Sequence, residues 1–142
     1  MNKKPFKICS ACLLGVKCRY DGKSKPNDKV IKLAKSKILI PVCPEQLGGL
    51  STPREPAEQK ERKVITKSGK DVTKNFKEGA EQVLKLAKLF NIKVAILKQR
   101  SPSCGSGQIY DGSFSGMIIK GDGVTTSLLK SKGIKVITEE DL

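Results

Sequence analysis

The chain's 142 residues carry 28 Lys and Arg against 14 Asp and Glu, a formal net charge of +14, with 37% hydrophobic and only 4% aromatic residues and no histidine. That length suits one domain, residues 1–142, with a real core, and no run approaches the roughly 18 apolar residues of a membrane span. The start Met-Asn-Lys-Lys-Pro-Phe-Lys lacks the apolar stretch of a signal peptide, so a cytoplasmic protein is expected, where disulfides are disfavoured and five cysteines read as metal ligands or reactive thiols.

Along the chain, short apolar runs alternate with helical patterns. Phe6-Lys7-Ile8 predicts a strand, Asp28 to Lys37 a short helix on Val30, Ile31, Leu33 and Ala34, and Ile38 to Val42 a buried strand. The Pro-rich segment from Pro44 to Gly69 is long for a plain loop and reads as a lid or small excursion. Phe76, Ala80, Val83, Leu84 and Ala87 recur at helical spacing, with Asp71 or Thr73 as the cap and Asn91 as the stop. Ile92 to Leu97 is the next strand, Gly123 to Lys132 a helix with Val124, Leu128 and Leu129 inward, and Ile134 to Ile137 the last strand. The expected fold is α/β, an open, mainly parallel sheet with helices on both faces in the Rossmann-like manner. Tyr20-Asp21-Gly22 and Tyr110-Asp111-Gly112 repeat as turn signals, because glycine takes positive φ without steric cost.

The cysteines lie in three motifs, Ser10-Ala11-Cys12-Leu13-Leu14-Gly15, Pro41-Val42-Cys43-Pro44-Glu45 and Ser101-Pro102-Ser103-Cys104-Gly105. Each follows a predicted strand, and ligands of open parallel sheets gather beyond the carboxyl ends of strands, so Cys12, Cys43 and Cys104 should meet at one rim. Cys9 ends an apolar strand and reads as a small buried residue, while Cys18 is open between core filler and reserve ligand. Arg19, Arg54 and Arg100 stand beside the three motifs, where a planar fork could hold a carbonyl, carboxylate or phosphate. The positive charge is mostly scattered lysine without interleaved aromatics, which describes a solvated surface as well as a nucleic-acid groove.

With Cys18-Arg19-Tyr20-Asp21-Gly22, Gly48-Gly49-Leu50 followed by Pro53-Arg54, and Ile109 to Gly116, these segments resemble the thiouracil desulfidase (TudS-like) family from about residue 8 onward. The resemblance is to the short form that has no second, C-terminal domain. It implies a [4Fe-4S] cluster held by Cys12, Cys43 and Cys104, with a fourth iron open to the sulfur of a thiocarbonyl. It further implies Glu45 and Ser101 as catalytic residues, and hydrolytic, non-redox replacement of C=S by C=O in a thiouracil or thiouridine. The substrate would be a thiolated pyrimidine base, nucleoside or nucleotide, or thiolated tRNA. Thiolates suit iron-sulfur clusters, and Gly105 and Gly107 would allow close backbone approach with N–H groups free for cluster sulfurs. Without histidine, proton transfer falls to Glu45 or a lysine, with Ser101 orienting the ring or relaying a proton.

Two other classes fit the residues. A zinc-binding structural or RNA-binding module would use Cys9, Cys12, Cys43 and either Cys18 or Cys104 in closed four-coordinate geometry. A thiol-disulfide protein would use Cys9-Ser10-Ala11-Cys12 but leaves Cys43 and Cys104 without a task.

Overall fold

Period-two alternation in the apolar strands decides the architecture. In the computed structural model, which describes residues 6–142, β1 (Phe6–Ser10), β2 (Ile38–Val42), β5 (Val94–Leu97) and β8 (Lys135–Thr138) form one sheet in the order β2-β1-β5-β8. Met1 to Pro5, part of the start read for a signal sequence, lie outside the described residues. Every pairing in this sheet is parallel. Ile8, Ala95, Leu97 and Val136 point to one face and pack on α3 (Thr73–Leu89) and α4 (Val124–Ser131) through Val83, Leu84, Ala87 and Leu129. Cys9, Ile96 and Ile137 point to the other face, toward α1 (Asp28–Ala34) with Val30 and Leu33. Helices thus cover both faces, as expected.

Strand β2 departs from expectation. It is an edge strand with Ile38 44% exposed rather than a buried one, and an edge tolerates Pro41, which has no N–H to donate. The 44–69 excursion is also more regular than a loop. It holds a single helical turn, α2 (Pro44–Leu47), and a hairpin of β3 (Ala57–Lys60) with β4 (Lys63–Thr66), turned at Glu61 and Arg62, both at positive φ. A second small hairpin pairs β6 (Ile109–Tyr110) with β7 (Ile118–Ile119).

Helix α3 buries Phe76, Gly79, Ala80, Val83, Leu84 and Ala87, a stripe at i, i+3, i+4, i+7, i+8 and i+11. Its N-cap position is Val72, neither Asp71 nor Thr73. The Thr73 hydroxyl is taken by the Val64 N–H, while Asp71 accepts from the Thr73 N–H. Asn91 stops the helix at φ +52, its N–H donating to the Lys88 carbonyl. In α4 the most buried residues are Thr125, Thr126 and Leu129, not Val124 and Leu128, because the threonine hydroxyls bond to the loop below them.

Two glycines let α2 lie directly on α3. A Cβ on Gly79 would stand 1.9 Å from the Pro44 carbonyl oxygen, and one on Gly48 would stand 2.0 Å from the Asn75 carbonyl oxygen. Neither contact can relax without separating the two helices, and α2 carries Glu45. Gly79→Ala should therefore cost about 3 kcal/mol or more of stability, at the upper end of overpacking effects, measured as a lowered denaturant midpoint.

Candidate active site at the strand ends

Three parallel strands deliver three cysteines to one rim. After β1, the 3-10 turn Ala11–Leu14 carries Cys12 and ends at Gly15 with φ +97, which folds the chain back so that Cys18 returns to the same place. After β2, Cys43 is the N-cap residue of α2, with Pro44 at the first helical position. After β5, Lys98 to Arg100 lead into the turn that holds Cys104. The chain places β2 on one side of β1 and β5 on the other, so the cysteines frame the switch point of the sheet.

The Cys104 turn is tightly bound. The Ser101 hydroxyl accepts from the N–H groups of Ser103 and Cys104, each at 3.1 Å, and the Ser101 carbonyl accepts from the Gly105 N–H at 2.9 Å. The first turn of α4 docks on it, with Thr126 Oγ1 donating to the Cys104 carbonyl at 2.7 Å and Ser103 Oγ paired with Thr125 Oγ1 at 2.8 Å. Gly123 permits that approach, since a Cβ there would stand 2.3 Å from the Ser103 carbonyl. The expectation of free glycine N–H groups is corrected here. Gly105 donates to Ser101 and Gly107 to Asp122 at 2.8 Å, because the loop satisfies its own backbone.

Cys12, Cys43 and Cys104 line one cavity of about 410 Å³ together with Cys18, Glu45 and Ser101. Cys9 does not line it. Fully buried on the α1 face, Cys9 has its thiol pushed up to about 12 by desolvation. That placement removes Cys9 from the zinc cage and from the Cys9-x2-Cys12 redox pair considered above. Among the described residues, no group of three His, Cys, Asp or Glu is arranged to hold a single metal ion.

The thiols of Cys43 and Cys104 are held in the protonated form. Hydrogen bonding to Cys18 and then burial push Cys43 up, and burial pushes Cys104 up to about 12 against opposing hydrogen bonds from Ser10 and Ser103. A group that takes them as thiolates must displace protons, so its binding strengthens as pH rises. The donor set is soft sulfur drawn from three separate strand ends, and the cavity between them is large enough for a polynuclear group. A thiolate-bound iron-sulfur cluster fits that donor set.

All three arginines flagged by the sequence border the cavity, but two of their forks are filled by the protein itself. Arg54 donates from Nε to Glu45 Oε1 at 3.0 Å, from Nη2 to the Cys18 carbonyl at 2.9 Å, and from Nη1 to the Ser51 carbonyl and Thr52 Oγ1. Its side chain is only 8% exposed and that of Glu45 18%, so the pair aims the carboxylate at the cavity wall. Arg100, at φ +66, is paired with Glu140 and Gln108. Arg19 lies 3.7 Å from Asp21 and over the Tyr20 ring.

The two Tyr-Asp-Gly segments are turns, with Gly22 at φ +75 and Gly112 at φ +94, and both tyrosines line the cavity. Lining residues not singled out from the sequence include Ser10 and Lys98. Ser10 accepts the Lys98 N–H at 2.9 Å and so ties the end of β1 to the end of β5, and Lys98 pairs with Glu139 at 2.9 Å. Their position at strand ends is the signal that could have found them.

Residues 8–141 match the family model described as 2-thiouracil desulfurase. The chain belongs to the 2-thiouracil desulfurase family. It is 48% identical over 145 residues to a Bacillus subtilis (strain 168) protein described as the uncharacterized protein YbbK, covering 95% of this chain and 96% of that one. It is also similar to the solved structure of a [4Fe-4S]-dependent thiouracil desulfidase, TudS, at 48% identity and a TM-score of 0.93 over 98% of this chain and 93% of that chain. The family thus agrees with the resemblance carried by the cysteine motifs.

Proposed function

We propose that this family member is a [4Fe-4S]-dependent desulfidase that replaces the C=S of a thiolated pyrimidine, of thiouracil or thiouridine type, by C=O without net redox change. The observation that carries the reading is the single cavity lined by Cys12, Cys43 and Cys104 from three strand ends, with Glu45 and Ser101 beside them. Those three thiols would hold the cluster, which would leave one iron without a protein ligand. When bound, the cluster supplies a soft Lewis acid for the sulfur of a thiocarbonyl.

The protein's own residues supply the rest. Two carboxylates line the cavity; Glu58 accepts from the N–H groups of Gly112 and Phe114, while Glu45, fixed by Arg54, takes a proton from the attacking water. Ser101 uses its oxygen to shape the Cys104 turn and keeps its O–H to donate to a ring oxygen or nitrogen. Tyr20 and Tyr110 give the rim two flat faces for a pyrimidine. No helix among the described residues is long and apolar enough to cross a membrane. The same chemistry extends to a thiolated nucleoside, nucleotide or tRNA.

Cluster-loaded protein given thiouracil under anaerobic conditions, with no electron donor, should form uracil and release sulfide in equal amounts. Unchanged thiouracil, thiouridine, thiouridine phosphate and thiolated tRNA would overturn the assignment of substrate class.

A further inference from the structure

Cys18 has no task in the reading above, yet it lines the cavity, is only 2% exposed, and lies in one packed cluster with Cys12, with Cys43 against that cluster. It is held there from both sides. Its N–H donates to the Val16 carbonyl at 2.9 Å, and its carbonyl accepts from Arg54 Nη2 at 2.9 Å and from the Cys43 thiol at 3.6 Å. The flanking chain is pinned as well, with the Arg19 N–H on the Lys23 carbonyl and the Arg54 N–H on the Tyr20 carbonyl. A core filler needs only apolar neighbours, and Leu13, Val30 and Ile96 would provide them. Cys18 shares that cluster with Cys12 and Cys43 as well, and beside ligand sulfurs an S–H is a donor and thiolate sulfur an acceptor.

Resting on the cluster reading, we propose that Cys18 is a positioning residue whose S–H donates to the ligand sulfur of Cys12 or Cys43, without itself binding iron. Once Cys12 and Cys43 carry negative charge on the cluster, an adjacent S–H draws part of that charge away. Hydrogen bonds to cluster and ligand sulfurs are among the terms that set the potential of such clusters, and loss of one moves the potential in the negative direction. The same withdrawal leaves the iron a stronger acid toward a thiocarbonyl sulfur. Arg54 then serves both ends of the site, since one guanidinium orients Glu45 and holds the backbone of Cys18.

The test compares anaerobically prepared wild type, Cys18→Ala, Cys18→Val and Cys18→Ser by iron and sulfide content, midpoint potential and the iron-thiolate stretching bands in resonance Raman spectra. Wild type and all three variants should carry the same iron and sulfide per chain. The alanine and valine variants should show a more negative potential and iron-thiolate bands moved to higher frequency, and serine should move both back toward wild type. Valine fills the space that alanine leaves, so a packing defect would separate these two variants while loss of a donor would not. Loss of iron in both alanine and valine variants would make Cys18 a ligand and overturn the proposal. Full clusters with unchanged potential and bands would make it a filler and overturn it equally. A wild-type protein that takes up no cluster would instead overturn the parent reading, and it would do so in the first measurement.

Discussion

Alanine at Cys12, Cys43 or Cys104 should abolish iron binding, whereas Cys9→Ala and Cys18→Ala should retain it. The three ligand positions sit on three different strand ends, so no neighbour can be swung into a vacated place without moving a strand. Cys9 points to the α1 face beneath the sheet and cannot substitute for Cys12. Cys18 is nearer, but its carbonyl is tied to Arg54 and its chain to the turn at Gly22. Iron and acid-labile sulfide per chain, measured after anaerobic reconstitution, check the pattern. Loss of iron in Cys9→Ala with retention in Cys104→Ala would replace this site by a local Cys-x2-Cys one.

Glu45→Gln should keep the cluster and lower turnover by roughly 10²- to 10⁴-fold, the range of general acid-base help. The substitution preserves shape and an oxygen for the Arg54 Nε, so the α2 turn and Cys43 stay in place while the proton acceptor is lost. Ser101→Ala should cost less turnover, together with about 2 kcal/mol of stability, since two loop N–H groups lose their acceptor. Cys104 remains anchored through Thr126 and the Ser101 carbonyl, so the spectrum should persist. Steady-state desulfidation by matched, cluster-loaded variants gives the answer. Near-wild-type rates for Glu45→Gln would move proton transfer to a lysine, and Lys25 and Lys98 are the lysines that line the cavity.

The parallel sheet was legible because its central strands bury both faces. Ile92 to Leu97 is almost wholly apolar and could be little else once α3 had been recognised from its 3.6-residue stripe. The meeting of Cys12, Cys43 and Cys104 followed from the same pattern, since parallel strands end on one side. The short hairpins were not legible. Lys60-Glu61-Arg62-Lys63 turns through two positive-φ residues without the Asn-Gly or Asp-Gly that announces such a turn, and β6 and β7 are only two residues each. The exposure of β2 was hidden because Ile-Leu-Ile-Pro-Val reads as buried from composition, and only strand order makes it an edge. Within the site, the motifs marked Arg54 and Arg100 as forks able to hold a carbonyl, carboxylate or phosphate, without saying whose. Their true partners, Glu45 and Glu140, lie 9 and 40 residues away and emerge only when the loops are folded.

The three-cysteine metal centre is the claim on which the function rests. Anaerobic purification followed by an absorption spectrum and metal and sulfide analysis tests it most directly. The site described here predicts a brown protein with iron and acid-labile sulfide in equal amounts, both lost together in Cys104→Ala. Stoichiometric zinc without iron, persisting after anaerobic cluster reconstitution, would contradict it.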